Sequence, residues 1–319
     1  MRRLTALAGL VIVAVLAGCG GSSAKDPYQL VFASKAATPD VMQVRIGLAT
    51  VGGSTPIAIA PDAFKVTTDK ISGKVRIQVD VPFASLGIPP AALAGLGVSG
   101  EKLALDVLYD GNALYANSPV LASALTTLMT ELGQTPTGPL AGWLKLGTKT
   151  EFEALAAGLG AGAGASMAPL PSVTDGAGLK TQLESYGITL AYAGEETRNG
   201  VDSHHLTMAM DLAKLAQNPA FGSLNGTQLG QLGAMAGAVT ISADWWLDKA
   251  SGRNVEVDLH VAPTGAVPSS EPSRVDVTVL FGTPDAGTTF DAPATFTEVP
   301  LAPIVQGLMQ QFGKGLFTP

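Results

Sequence analysis

Cysteine is almost absent from this chain: Cys19 is the only one in 319 residues. That excludes a disulfide framework and any thiolate cluster for zinc or iron–sulfur. Histidine is nearly as scarce, with three at His204, His205 and His260 and no HExxH spacing, so surface or strand-end histidines account for them better than a metal site. Charged residues make up 14% of the chain, the net charge is −7, and no Lys/Arg run occurs. A nucleic-acid partner, which needs a basic stripe, is therefore not expected. Catalytic signatures are missing too. Gly97-Val98-Ser99-Gly100 lacks the spacing of a nucleophile elbow and reads as a turn. There is no phosphate-cradling glycine loop and no local carboxylate pair. The expectation is a protein without cofactor or metal, and not an enzyme.

What is present begins at the N-terminus. Arg2 and Arg3 precede an apolar run from Leu4 to Leu16, interrupted only by Thr5 and Gly9. The run is short for a membrane-spanning helix and reads as an export signal over residues 1–18. It closes on Leu16-Ala17-Gly18-Cys19, which resembles the lipobox of bacterial lipoproteins, where the cysteine sulfur takes a diacylglycerol and becomes the new N-terminus. The resemblance implies a diacylglyceryl, palmitate-bearing Cys19 and an exported protein anchored on the extracytoplasmic side of the cell membrane. A single acyl chain binds a membrane only reversibly, whereas two or three hold, each buried CH₂ contributing about 0.8 kcal/mol. Residues 19–27, rich in Gly and Ser, form a flexible tether. Residues 28–319 are expected to be one domain.

Strict apolar/polar alternation dominates that body and marks strands with one buried and one wet face. Val75, Ile77, Val79 and Val81 alternate with Lys74, Arg76, Gln78 and Asp80. Leu103, Leu105, Val107 and Tyr109 form a second set, and Leu206, Met208, Met210 and Leu212 a third. Val255, Val257, Leu259 and Val261 make the fourth, with Val275, Val277, Val279 and Phe281 the fifth. Turn signals at Asp110-Gly111, Asn199-Gly200 and Asp248 to Gly252 join strands as hairpins in a meander.

Helices are expected at Pro119–Leu132, from Thr150 as N-cap, at Gly178–Tyr186, at Asn225–Gly237 and at Leu301–Phe312. Gly158–Ala168 reads as a loop or a weak helix. An apolar sheet face must be covered, and only these helices can cover it. The fold class is therefore α+β: a strongly curved antiparallel half-barrel with helices over its concave apolar face. The cover is thin. Asn225–Gly237 carries four glycines and Met235, and glycine in a helix interior costs about 1 kcal/mol relative to alanine while filling no space. Such a cover is equally compatible with an apolar void and with close helix–sheet packing.

The order of lipobox, tether and alternating strands resembles the lipoproteins grouped around LppX and LprG, relatives of the LolA and LolB carriers. The echoes are Leu108-Tyr109-Asp110-Gly111-Asn112-Ala113-Leu114-Tyr115 with Trp143-Leu144-Lys145-Leu146, then Gly200 to Leu206, then Trp245-Trp246-Leu247-Asp248 with Val255 to Leu259. The resemblance implies a membrane-anchored protein that binds a lipid or glycolipid in an apolar cavity. It would carry that ligand between membrane and cell envelope, with an envelope transporter or acceptor as a further partner. A non-transporting scaffold or sensory lipoprotein is the alternative. Residues expected along the cavity are Val79, Leu105, Val107, Tyr109, Leu125, Met129, Leu206, Met208, Met210, Met235, Ile241, Trp245, Val257, Leu259 and Val277; sequence alone does not separate ligand contacts from ordinary core. Trp245 is expected in the core. Trp246, on the opposite face, is left between a rim, a lipid surface and a covering loop.

Overall fold

The computed structural model describes residues 26–34, 37–87, 101–131, 140–151, 173–218 and 236–299. The export signal, Cys19, Met235, Gly158–Ala168, Leu301–Phe312 and nearly all of Asn225–Gly237 lie outside the described residues. In chain order the elements open with α1 (Pro27–Ala33), β1 (Val41–Val51), β2 (Ala58–Ile59), β3 (Phe64–Asp69) and β4 (Lys74–Pro82). There follow β5 (Lys102–Tyr109), β6 (Ala113–Asn117), α2 (Pro119–Glu131), β7 (Trp143–Thr148) and α3 (Gly176–Ser185). The remainder are β8 (Ile188–Arg198), β9 (Val201–Met210), α4 (Leu212–Gln217), β10 (Val239–Asp248), β11 (Asn254–Pro263), β12 (Arg274–Gly282) and β13 (Thr297–Glu298). The class is α+β and overwhelmingly antiparallel, as the alternation predicts. No helix among the described residues is long and apolar enough to cross a membrane. Contacts divide the chain into two compact units, Met1–Pro61 with Ala165–Gly282 and Asp62–Gly164 with Thr283–Pro319.

The first unit is a ladder in the order β2-β1-β12-β11-β10-β9-β8, antiparallel throughout. Its register lines up Leu206, Trp245, Val257 and Val279 in one cross-strand row, and Met208, Ala243, Leu259 and Val277 in the next. All eight are buried. Onto them pack Tyr28, Leu30 and Val31 of α1, Leu179 and Leu183 of α3, and Leu212 and Leu215 of α4. Each of these short helices starts at an aspartate whose carboxylate accepts from free N–H groups of the first turn. Asp26 accepts from Tyr28 N at 2.9 Å, Asp175 from Gly178 N at 2.7 Å, and Asp211 from Ala213 N at 3.0 Å. The last cap corrects one expectation: alternation extends β9 to Leu212, but the chain turns at Asp211 and Leu212 reaches the core from a helix. At the ladder's outer strand, the Tyr28 hydroxyl accepts from Leu190 N at 3.0 Å.

The opposite face of this ladder is polar and cross-linked. Asn199 (φ 52°) and Gly200 (φ 77°) make the β8–β9 turn, the positive-φ pair that a two-residue hairpin requires. From its foot Arg198 folds back over the Trp246 ring, 4.2 Å from its centroid. The guanidinium forks onto Glu256, with Nε donating to Oε2 at 2.9 Å, and reaches Asp258 at 2.6 Å. His205 stacks on Trp246 at 4.9 Å between ring centroids, and the indole N–H donates to Glu196. Trp246 is consequently buried although it lies on the polar face; charged side chains, rather than a lipid surface, cover it. Trp245 is in the apolar core as expected, its indole N–H donating to Asn254 Oδ1 at 2.8 Å.

The second unit is a ladder in the order β13-β7-β6-β5-β4-β3, antiparallel except for the β13–β7 pair. Val66, Ile77, Val107, Ala116 and Leu144 form one row on its apolar face. On the other face Leu108, Ala113 and Tyr115 are buried with Trp143 and Phe290. Ser118 caps α2, its hydroxyl accepting from Leu121 N at 3.3 Å, and Pro119 occupies the first helical position, where a missing N–H costs nothing. Helix initiation near Thr150 is shifted by two residues from expectation. Thr148 is the cap, because Glu151 returns its carboxylate to Thr148 N at 2.6 Å while Glu151 N donates to Thr148 Oγ1 at 3.3 Å; this reciprocal pairing needs the Thr-x-x-Glu spacing.

Three outcomes follow from these contacts. Arg198→Ala leaves Glu256, whose side chain is 4% exposed, without its guanidinium, and should cost about 2–4 kcal/mol in urea unfolding. Arg198→Lys should recover only part of that, since an ammonium cannot fork. Gly187 has φ 76° and an added Cβ would overlap the Asp211 carbonyl oxygen, so Gly187→Ala should destabilise by about 2 kcal/mol or more. Burial pushes Asp276 up, but hydrogen bonds from His260 and Arg274 outweigh it and hold the carboxyl below its ordinary range. Its stabilising contribution is therefore present above the usual carboxylate pKa and lost as pH falls through the lowered folded value. Asp276→Asn should lower stability at neutral pH, and the difference from the parent should vanish in acid.

Candidate functional site

The two units differ in how completely their apolar faces are covered. In the first, the central rows of β9–β12 are excluded from water. In the second, β3, β4 and β5 set Phe64, Val79 and Leu105 in one row beside Val66, Ile77 and Val107 in another, and all six are only half-buried. Val75 and Tyr109 extend the surface and are half-buried as well. The cause is the position of the cover. Helix α2 presents Ala122, Leu125 and Met129 at one-face spacing, and these pack on Leu144 and Leu146 of β7 and on Val299. Its buried stripe thus sits at the β7 end of the ladder. The exposed flank of α2 is threonine-rich: the hydroxyls of Thr126 and Thr130 donate to carbonyls one turn back at 2.8 Å each, so each hydroxyl oxygen keeps lone pairs facing outward.

The residues expected along a cavity are placed accordingly. Val79, Leu105, Val107 and Tyr109 share the half-covered face of the second unit. Leu125 and Met129 are buried in the contact between α2 and β7. Leu206, Met208, Ile241, Trp245, Val257, Leu259 and Val277 are buried in the first unit's core, with Met210 packed at its margin. Met235 and Cys19 lie outside the described residues.

His205 and His260 join the polar face of the first unit, while His204 shares the face of Leu206 on β9. Asp244 bridges His205 Nε2 at 2.6 Å and His260 Nε2 at 3.2 Å, and His260 Nδ1 faces Asp276 at 2.7 Å. His204 lies beside the Tyr192 hydroxyl at 3.3 Å. No group of three or more His, Cys, Asp or Glu side chains among the described residues is arranged to hold a metal ion. Burial and the neighbouring Glu256 push the Asp258 carboxyl up, against the hydrogen bond it accepts from Thr278 at 2.7 Å.

Two clefts in the second unit have no counterpart in the sequence reading. One, of about 380 Å³, runs over the polar face of β3–β6 past Lys65, Gln78, Asp80, Asp106 and Asn117, with Val79 and Leu105 between them. The other, of about 450 Å³, follows the flank of α2 past Ser118, Ser123, Thr126 and Thr127 to Leu140. Asn117 and Pro119 line both. Within the first cleft the charges are largely neutralised in place: Arg76 forks onto Asp106 at 2.9 and 2.6 Å, Lys65 donates to Asp285 at 2.8 Å, and Lys102 meets Asp80 at 2.9 Å. Donating to the Asp106 carboxylate holds the pKa of the Arg76 guanidinium above its ordinary value.

No family model and no curated protein matches the chain. Among solved structures, LprF from Mycobacterium bovis aligns at 10% identity over 81% of this chain and 91% of that one, with a TM-score of 0.34. Lipoprotein LppX from Mycobacterium tuberculosis aligns at 10% identity over 80% of this chain and 93% of that one, with a TM-score of 0.33. A LolA superfamily protein from Nitrosomonas europaea aligns at 8% identity over 77% and 87%, with a TM-score of 0.17. Superpositions this loose carry no argument about ligand or mechanism, and the α+β antiparallel fold rests on the strand pairings themselves.

Proposed function

We propose that this chain is an exported lipoprotein, anchored to the cell membrane through an acylated Cys19, which binds a lipid or glycolipid and passes it between membrane and envelope without chemistry of its own. The observation that carries the reading is the half-covered aliphatic surface of β3, β4 and β5. Each Å² of apolar surface removed from water contributes about 25 cal/mol, so a surface of Val, Ile, Leu and Phe left half wet is a standing driving force for an apolar occupant. Acyl chains fit it better than a protein helix because the six central side chains bear no polar group to satisfy. Ligand contact is assigned to Val79, Leu105, Val107 and Tyr109, with Leu125 and Met129 shaping the adjoining cover. Leu206, Met208, Ile241, Trp245, Val257, Leu259 and Val277, already sealed among themselves, are assigned to packing. The order of export signal, Cys19 and Gly/Ser tether supports the anchored geometry.

The Cys19→Ser body, purified from its own host and examined by native mass spectrometry, should carry lipid in a fraction of molecules. Val107→Asp should cut that occupancy by about tenfold or more by placing a charge where no partner meets it, while leaving far-UV circular dichroism unchanged. A protein that is uniformly ligand-free and rejects added lipid would return the chain to the tethered-scaffold reading. In cells, Cys19→Ser should abolish palmitate labelling and move the protein from the membrane to the soluble fraction.

A further inference from the structure

The two clefts of the second unit share a wall at Asn117 and Pro119, and their lining is neither apolar nor of one charge. Asn117 is the last residue of β6 and stands opposite Asp106 of β5 and Trp143 of β7. Among the described residues its carboxamide meets no hydrogen-bond partner, and it lines both clefts. On one side are the Gln78 carboxamide and carboxylates already held by basic side chains. On the other are the serine and threonine hydroxyls of the α2 flank, of which Thr126 spends its proton on Ala122 O and keeps its acceptor lone pairs.

The lining discriminates between ligand classes. An anion meets Asp62, Asp80 and Asp106, against Lys65, whose ammonium is already on Asp285. An apolar molecule strips water from carboxylates and carboxamides and gives nothing in return. A neutral polyhydroxylated molecule satisfies both sides, since every hydroxyl donates to a carboxylate or threonine oxygen and accepts from a carboxamide N–H. Pro119 and Leu140 offer aliphatic surface for the C–H face of a sugar ring. Each cleft, at about 380 and 450 Å³, lies in the size range of ordinary small-molecule sites.

We infer that the paired clefts around Asn117 form a groove for a neutral glycan, two or three sugar units long. The groove runs from the polar face of β3–β6 round the end of β6 at Asn117 and Pro119 to the threonine flank of α2. The sugar has two possible sources, a free envelope glycan or the headgroup of a glycolipid.

The test uses saturation-transfer difference NMR on the Cys19→Ser body with maltotriose, mannotriose and cellotriose, together with an octyl trisaccharide glycoside below its micelle concentration and a sugar phosphate. At least one neutral trisaccharide should receive saturation, and the sugar phosphate should receive none. Asn117→Leu should weaken the bound sugar at least fivefold. Thr126→Val, on a separate element and nearly isosteric, should also weaken it, so that loss of signal is not confused with a misfolded β6. Equal affinity for the free trisaccharide and its octyl glycoside supports a free glycan as source; tighter binding of the octyl form, with its sugar protons still saturated, supports a headgroup. Absence of transfer to every neutral sugar overturns the inference, as does binding unchanged by both substitutions or preferential binding of the phosphate. A protein that binds sugar but never carries lipid would remove the carrier reading and leave the groove in place.

Discussion

Everything in this molecule follows from the period-two constraint of the pleated strand. Successive side chains must point to opposite faces, so each strand that supplies Val, Ile and Leu to one side supplies Arg, Asp, Gln or His to the other. In both ladders the register carries that division across neighbouring strands without a break in the central rows. Two different physical problems result. The aliphatic face must be removed from water, and the polar face must satisfy its charges without opening the ladder. The first unit solves the former with α1, α3 and α4; the second leaves β3–β5 half-solved. It is on that remainder that the proposal of a lipid ligand rests.

The polar faces are not passive. On the first unit Arg198, Glu256, Asp258, Trp246, His205, Asp244, His260 and Asp276 connect five strands, β8 to β12, through ion pairs, hydrogen bonds and ring stacking. Most of these groups are partly exposed, and a single exposed ion pair contributes little. Their effect is on register, because a one-residue slip would turn Glu256 and Asp258 into the core and Val257 out to solvent. Arg76 with Asp106 plays the same part on the second unit, joining β4 to β5.

Alternation made β4, β5, β9, β11 and β12 legible, together with the turns at Asp110-Gly111, Asn199-Gly200 and Asp248 to Gly252. It does not supply neighbours. β1 alternates Met42, Val44, Ile46 and Leu48 against Gln43 and Arg45 as regularly as the rest, yet nothing local says that it lies beside β12. Caps were read at the right residue type and the wrong residue where two candidates stood close. Thr150 has the side chain for an N-cap, but only Thr148 has Glu151 three positions on. Leu212 continues the strand pattern, and Asp211 ends it by offering two N–H groups a carboxylate. Trp246 was undecidable because its cover, Arg198, comes from a hairpin foot far away in sequence. The clefts at Asn117 left no trace for the same reason: a lone Asn after a strand reads as a solvated end until Asp106 and α2 are placed around it.

The half-covered aliphatic face and the cleft past Gln78 and Asp106 occupy opposite sides of the same strands, and that arrangement bears on how ligands would bind. Val79 and Gln78 are consecutive, as are Leu105 and Asp106, so the two surfaces share one backbone. An occupant that fixes the twist of β4 and β5 from the aliphatic side also fixes the spacing of Gln78, Asp106 and Asn117 on the polar side. Were both proposed ligands to bind, ordering of this kind would couple them without any contact between them, since the second would meet a strand pair whose freedom the first has already removed. The coupling must be reciprocal. A sugar held across β4–β6 would favour the same strand geometry from beneath. The ion pairs between Arg76 and Asp106 and between Lys102 and Asp80 set how much freedom remains to be removed, because they already tie β4 to β5 along the polar side. The side without such ties is the aliphatic one, and it is there that an occupant gains most by ordering what it touches.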